Sequence, residues 1–352
     1  MITDKEKEEY ENFLEHHERC HFAQSLIWAD LKKGWDKELV TVRDENGKIK
    51  GSVLLLIRKM PVIKSTLVSS QRGPVCDIRD EETFKELMQK VEETAKKHKA
   101  FMFKMDPDIP NNDMEFKEMA KRNGFKILEE VTDINKVVQP RIVFRLDLKG
   151  KTEDEVCNKI IPSKTRYNIR YASKKGITTR EGKREDIDTF YNIMQETSKR
   201  DHFPIRTKEY FEELYDTLGE KHIRILFAEY EGKPIACTLH FVFGNKMWYM
   251  YGGSLSENRN LKPTYLLQSD SIKWAISKGI EVYDFRGVNA TNLNNGHKGL
   301  YDFKKSFGPE LIEFTEIYKI YNPFIYFIFE KLFPVYRNIR VKLMKKNAKA
   351  EE

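Results

Sequence analysis

Cysteine is scarce in this chain. Cys20, Cys76, Cys157 and Cys237 lie far apart, and no pair has the C-x-x-C spacing. That argues against a zinc site and a disulfide framework, and for a reducing cytoplasm. Long apolar runs are missing as well: nothing approaches the ~20 apolar residues of a membrane-crossing helix. The first residues, MITDKEKEEY, are polar and acidic, without the apolar region of a signal peptide. A soluble cytoplasmic protein is expected. Catalytic signatures are equally absent. The eight histidines form no H-E-x-x-H or other metal spacing, so no metal is expected. There is no G-x-S-x-G elbow, no G-x-x-x-x-G-K-S/T phosphate loop and no G-x-G-x-x-G after a strand. The R/Q-x-x-G-x-G/A pyrophosphate loop of an acetyltransferase is not found either. Any chemistry must use an already activated substrate, with the protein supplying position and electrostatics.

What remains is a folded chain of ordinary composition. Its 352 residues are too many for one comfortable core and suit two domains. Hydrophobic residues make up 40%, which supplies enough apolar surface to bury. Lys and Arg number 62 against 55 acidic residues, a formal charge of +7. That excess permits a nucleic-acid or phosphate partner without demanding one.

The order of elements repeats. Residues 4–17 read as a helix opened by Thr3 or Asp4, and QSLIWADLKK as a short second one. ELVTVRD, ENGK and IKGSVLLLIRK read as strand, turn and strand. Helical periodicity over 80–99 and 111–123 brackets a buried strand, FMFKMDP. In the second half RILFAEYEGKPIACTLHFVF again gives a hairpin, with helices over 184–199, 208–219 and 262–279. Such alternation implies a mixed α/β (α+β) sheet protein, and the recurrence implies two related domains of about 150 residues. The first is expected over 1–148 plus about 310–352, the second over 149–309.

Five stretches stand out, each with two readings. In IIPSKTRYNIRYASKKG, Ser163 is a candidate helix cap, and Arg166, Arg170 and Lys174 fall on one face at i, i+4, i+8. It is a solvated face or, with its interleaved tyrosines, a nucleic-acid surface. In KRDHFPIRTKEYF, Thr207 can cap a helix that carries Arg206 and Tyr210 near its start; this is a plain capped loop or an anion site. In KMWYMYGGS, alternation puts Tyr249 and Tyr251 on one strand face, as core or as a cleft wall. GLYDFKKSFG sets Lys304 and Lys305 beside Phe303, as a surface turn or as a cation aimed into a cleft. Residues 322–346 are first aromatic and then basic (Arg337, Arg340, Lys342, Lys345, Lys346). They are a docked helix with a basic tail or an interfacial helix on anionic lipid.

Together with QRGPVCDI, QPRIVFRLDL and VYDFRGV, these stretches resemble the FemABX peptidyltransferases over essentially the whole chain. The likeness is to the short, FemX-type branch, since no heptad-bearing insertion that would form a coiled-coil arm is present. The resemblance implies two GNAT-like domains in tandem. It implies transfer of Gly, Ala or Ser from aminoacyl-tRNA to the peptide of a peptidoglycan precursor, UDP-MurNAc-pentapeptide or lipid II, with no cofactor. It carries Lys32 and Arg206 over as contacts to the nucleotide phosphates. Tyr210, Tyr249 and Tyr251 would line the precursor site, with Phe101 and Asp106 near the acceptor peptide. Phe303 and Lys304 match the pair beside the reacting centre. Lys164, Arg166, Arg170, Lys174, Lys175 and Lys305 would meet the tRNA. The first domain would then bind precursor and the second serve tRNA and catalysis. A monomer at the inner face of the membrane is expected.

The donor ester is already activated, so Lys304 would stabilise the oxyanion and Asp106 is a candidate to accept the amine proton. Rival readings are an acyl-CoA N-acyltransferase, tRNA-dependent transfer to protein N-termini, and a catalytically silent tRNA- or membrane-binding module.

Overall fold

The computed structural model describes residues 3–60, 63–129, 139–289 and 297–331. The chain divides into two compact units. The smaller comprises Gly34–Asp106, Asp113–Glu129 and Glu316–Glu352, the larger Met1–Lys33, Pro107–Asn112 and Glu130–Thr315.

In the smaller unit β1 (Asp36–Arg43) and β2 (Ile49–Lys59) form the expected hairpin. Gly47 supplies the positive φ of its turn, and the Asp44 carboxylate accepts the N–H groups of Asn46 and Lys48. The sheet continues through β3 (Thr66–Arg72) and β5 (Ala100–Pro107) to β14 (Ile317–Ile320) and β6 (Lys126–Ile127), with β4 (Val75–Cys76) on β2. Helices α3 (Glu81–Lys97) and α4 (Met114–Arg122) start at Asp80 and Asp113, whose side chains accept from the third helical N–H. Helical residues 323–331 lay Ile325, Tyr326 and Phe329 against Leu67, Phe101 and Met102. Phe324 and Phe327 point away from that packing, 73% and 59% exposed. The basic residues Arg337, Arg340, Lys342, Lys345 and Lys346 lie outside the described residues. No described helix is long and apolar enough to cross a membrane.

The larger unit holds the second sheet, in the order β13 (Glu310–Glu313), β7 (Ile142–Asp147), β12 (Val282–Gly287), β11 (Lys246–Ser254), β10 (Lys233–Phe243), β9 (Ile223–Tyr230) and β8 (Thr178–Gly182). Its helices are α1 (Asp4–His16), α2 (Leu26–Asp30), α5 (Ser163–Lys174), α6 (Ile187–Asp201), α7 (Lys208–His222), α8 (Pro263–Ser277) and α9 (His297–Lys305). A reciprocal Thr3–Glu6 capping box opens α1. Thr207 caps α7. Ser163, expected as a cap, is instead the first helical residue of α5, after Pro162, and makes no capping bond.

The domain boundaries differ from those read in the sequence. Residues 4–30 cluster with the second sheet because Phe22 sits edge-on to Trp28, Phe241 and Trp248, at centroid distances of 4.9–5.1 Å. The Tyr10 hydroxyl ties α1 in by donating to Gln24 O at 2.6 Å. β7 and β13 also belong to the second sheet, so the chain changes sheet between Glu313 and Ile317.

Candidate active site

The site begins where two parallel strands part. β11 and β12 pair only from Lys246 with Val282 to Trp248 with Asp284. Beyond that register the two strands no longer pair with each other: Tyr249–Ser254 stays paired with β10, and Gly287 faces Val143 of β7.

A bulge then redirects the tyrosines. On β10, His240 faces Tyr249 and the adjacent Leu239 faces Tyr251, so Met250 is the extra residue. Successive positions on a strand point to opposite faces, and one inserted residue therefore splits the pair. Tyr249 joins the core that includes Ile272 and Phe307, while Tyr251 packs edge-on against Phe211 of α7 at 5.0 Å. The simple alternation that put both tyrosines on one face does not hold. A Cβ at Gly252 would overlap the Tyr249 hydroxyl, which explains a glycine there.

In GLYDFKKSFG both lysines are helical: α9 ends at Lys305, and the turn follows at Ser306–Phe307. Lys304 is 5% exposed, and its Nζ donates to Gly287 O at 2.9 Å and lies 5.9 Å from the centre of the Tyr249 ring. Burial pushes its pKa down to about 7; Asp284 opposes the shift and Arg286 adds to it. Phe303 is half-buried and edge-on to Tyr265 at 5.2 Å. Lys305 is exposed, with Nζ 5.8 Å from the Tyr301 ring centre. Two adjacent lysines thus occupy opposite environments.

Three more cations gather in this unit. Lys32 stands 3.7 Å over the Trp28 ring, and burial pushes its pKa down to about 8, with Arg206 and Arg286 both repelling its charge. Arg206 lies 5.2 Å from the Tyr210 ring centre, and Tyr210 acts electrostatically on Tyr251. Burial raises the pKa of both Tyr249 and Tyr251, keeping their phenols neutral. Cations that repel one another at rest are stabilised by an anion, and phosphate is the chemistry such a set fits.

Two expected site residues have other duties. Phe101 is fully buried under Phe329, 5.2 Å between ring centres, so its side chain meets the core and no acceptor peptide. Asp106 is buried in the smaller unit, ion-paired to Arg72 Nη1 at 3.2 Å and accepting the Arg72 N–H at 3.1 Å. Burial pushes its pKa up to about 6 although Arg72 opposes the rise. A carboxylate so held has a structural role. No described group of His, Cys, Asp and Glu could hold a metal ion.

The α5 face is as basic as expected. Lys164, Arg170, Lys174 and Lys175 are exposed and Arg166 is half-buried; among the described residues none of the five forms an ion pair. Tyr167, 61% exposed, stacks at 6.2 Å on Tyr171.

Comparison with known proteins fits this geometry. The model of the FemAB family matches residues 5–233, and that of the acetyltransferase (GNAT) domain matches 163–305. The chain belongs to the FemAB family. Among curated FemAB-type relatives, the lipid II:glycine glycyltransferase of Staphylococcus epidermidis is 27% identical over 96% of this chain and 97% of its own. The UDP-N-acetylmuramoylpentapeptide-lysine N(6)-alanyltransferase of Weissella viridescens is 28% identical over 91% and 95%. The crystal structure of FemX superposes with a TM-score of 0.86 at 26% identity, covering 94% of this chain and 99% of that one. The fold is thus a mixed α/β pair of GNAT-like units, without a long coiled-coil arm among the described residues.

Two charged residues beside Lys304 are not singled out in the sequence, Asp284 and Arg286. Both lie in VYDFRGV, where an acid and an arginine bracket a phenylalanine before a glycine at a strand end. That arrangement was the available signal.

Proposed function

We propose that this FemAB-family chain is an aminoacyltransferase of interpeptide-bridge synthesis. It moves an amino acid from aminoacyl-tRNA to an amine on the peptide of a peptidoglycan precursor. The relatives' names support the acceptor class: one is named for lipid II and another for UDP-N-acetylmuramoylpentapeptide. The observation that carries the reading is Lys304, a buried lysine whose Nζ donates to the Gly287 carbonyl just past the end of the β11–β12 pairing.

The neutral amine attacks the ester carbonyl of the charged tRNA. An N–C bond forms, the C–O bond to the ribose breaks, and the amine proton ends on the released ribose hydroxyl. Negative charge develops on the carbonyl oxygen between these events. Lys304 supplies a preorganised cation for it, and loss of such a donor typically costs ~10²–10³ in kcat. Lys32, Arg206 and Arg286 hold the precursor's phosphates, and Tyr210 and Tyr251 border its sugar and peptide, while Tyr249 backs Lys304 from the core. The α5 cations with Lys305 take the tRNA backbone, which makes that contact salt-sensitive. Asp106 is left out of the chemistry, and substrate groups relay the proton. Exposed Phe324 and Phe327, followed in sequence by basic residues, suit contact with an anionic membrane where the acceptor is lipid-linked.

Incubation with charged tRNA pools and either UDP-MurNAc-pentapeptide or lipid II tests this. The expected product is the precursor heavier by one amino-acid residue. Product from acetyl-CoA, and from no charged tRNA, would overturn the reading.

A further inference from the structure

β12 carries more residues than its neighbour β7 can pair. Asp284 faces Arg145 and Gly287 faces Val143, leaving a bulge at Phe285 and Arg286. There Arg286 adopts φ +64, a region that a non-glycine residue occupies only when something holds it. Asp284 is the holder. Its Oδ1 accepts the Arg286 N–H at 2.6 Å, and its Oδ2 accepts Arg145 Nε at 2.8 Å.

Arg145 is fixed in turn. Its Nη1 and Nη2 donate to Asp108 at 2.6 and 3.3 Å, and Lys246 Nζ donates to the same carboxylate at 3.0 Å. The two cations hold the Asp108 carboxyl well below its usual range in spite of burial. Lys246, Asp108, Arg145 and Asp284 therefore form a buried line of alternating charge. It ends at the bulge whose next carbonyl, Gly287 O, receives Lys304. The transfer chemistry above uses none of the four.

We propose that Asp284 is a positioning residue: it fixes the bulge that presents Arg286 and the Gly287 carbonyl, and it supplies the negative charge that keeps Lys304 a cation. This rests on the role given to Lys304 above. Among the described residues, the charged and titratable groups that act on Lys304 are Asp284 and Arg286 from β12 and Tyr249 from β11. Only Asp284 is an acid. Among the described residues Asp284 and Lys304 form no direct ion pair; the carboxylate oxygens accept from Arg145 Nε and the Arg286 N–H. The lysine keeps its remaining protons for the substrate while still feeling a fixed negative charge.

Asp284→Asn and Asp284→Ser both retain a short acceptor for the Arg286 N–H and remove the charge. Protein labelled with carbon-13 lysine is titrated, with Lys304→Met identifying the Lys304 signal. The Lys304 midpoint should fall by about one unit or more in a folded variant. The alkaline fall of the single-turnover rate should move to lower pH by the same amount. At a pH between the two midpoints kcat should drop up to about tenfold, with the precursor KM within about threefold. An unchanged midpoint in either folded variant overturns the proposal. If no charged tRNA supports transfer by the unsubstituted protein, the functional reading fails separately, and the titration still decides the role of Asp284.

Discussion

The cations Lys304 and Lys32 and those on α5 carry the same charge and are held in different ways. Lys304 is buried and Lys32 half-buried over Trp28, and their pKa values fall to about 7 and about 8. The α5 residues stay in water, with no acid among them. Burial of an uncompensated charge costs stability, so it persists only where the charge does something at a defined point. An exposed set costs little and acts diffusely, through whatever polyanion comes near. The difference teaches that net charge alone says little about a cation's task, whereas its desolvation says a good deal.

The contrast can be broken most severely at Lys304. Lys304→Met should lower kcat by ~10²–10³ at saturating substrates while leaving both KM values within about threefold. Replacing Arg166, Arg170 and Lys174 together by Gln should do the reverse. The KM for charged tRNA should rise severalfold and its dependence on salt flatten by about two to three units of log–log slope, with kcat unchanged. Equal effects on kcat from the two sets would erase the distinction.

Gly252→Ala sharpens the geometry. The new methyl displaces the Tyr249 hydroxyl, so about 1–3 kcal/mol of stability should be lost, read as a lower denaturation midpoint. A pH dependence of stability probes the same lysine. A lysine whose pKa falls from 10.5 in the unfolded chain to about 7 in the folded one leaves the unfolded state binding more protons between those values. Its penalty is complete below about pH 7 and fades as pH rises towards 10. Lys304→Met should therefore raise Tm more at pH 6.5 than at pH 9.5. A shift independent of pH would mean that Lys304 is not a desolvated cation.

Local chemistry made much of this legible in the sequence. Asn46–Gly47 and Glu231–Gly232 announce the two hairpins, and Thr3 and Thr207 announce helix starts, because turns and caps depend on neighbours in sequence. The Lys304 pair and the Arg206–Tyr210 spacing could be singled out for the same reason. The misses share a cause, which is pairing between distant segments. Nothing near Tyr249 shows that β10 skips Met250, so the tyrosines were assigned one face. The packing of Phe22 on Trp248 joins the first helices to the second sheet across more than half of the chain. Arg286 acquires its left-handed backbone from a bulge set by β7. Phe101 and Asp106 meet Phe329 and Arg72, partners that their own sequence neighbourhood does not announce.

The most direct test lies in two neighbouring residues. Single-turnover transfer, with charged tRNA and precursor both saturating, should be compared in Lys304→Met and Lys305→Met. The account predicts a loss of ~10²–10³ for the first and a rate within about threefold of the unsubstituted protein for the second. Equal losses, small or large, would contradict it.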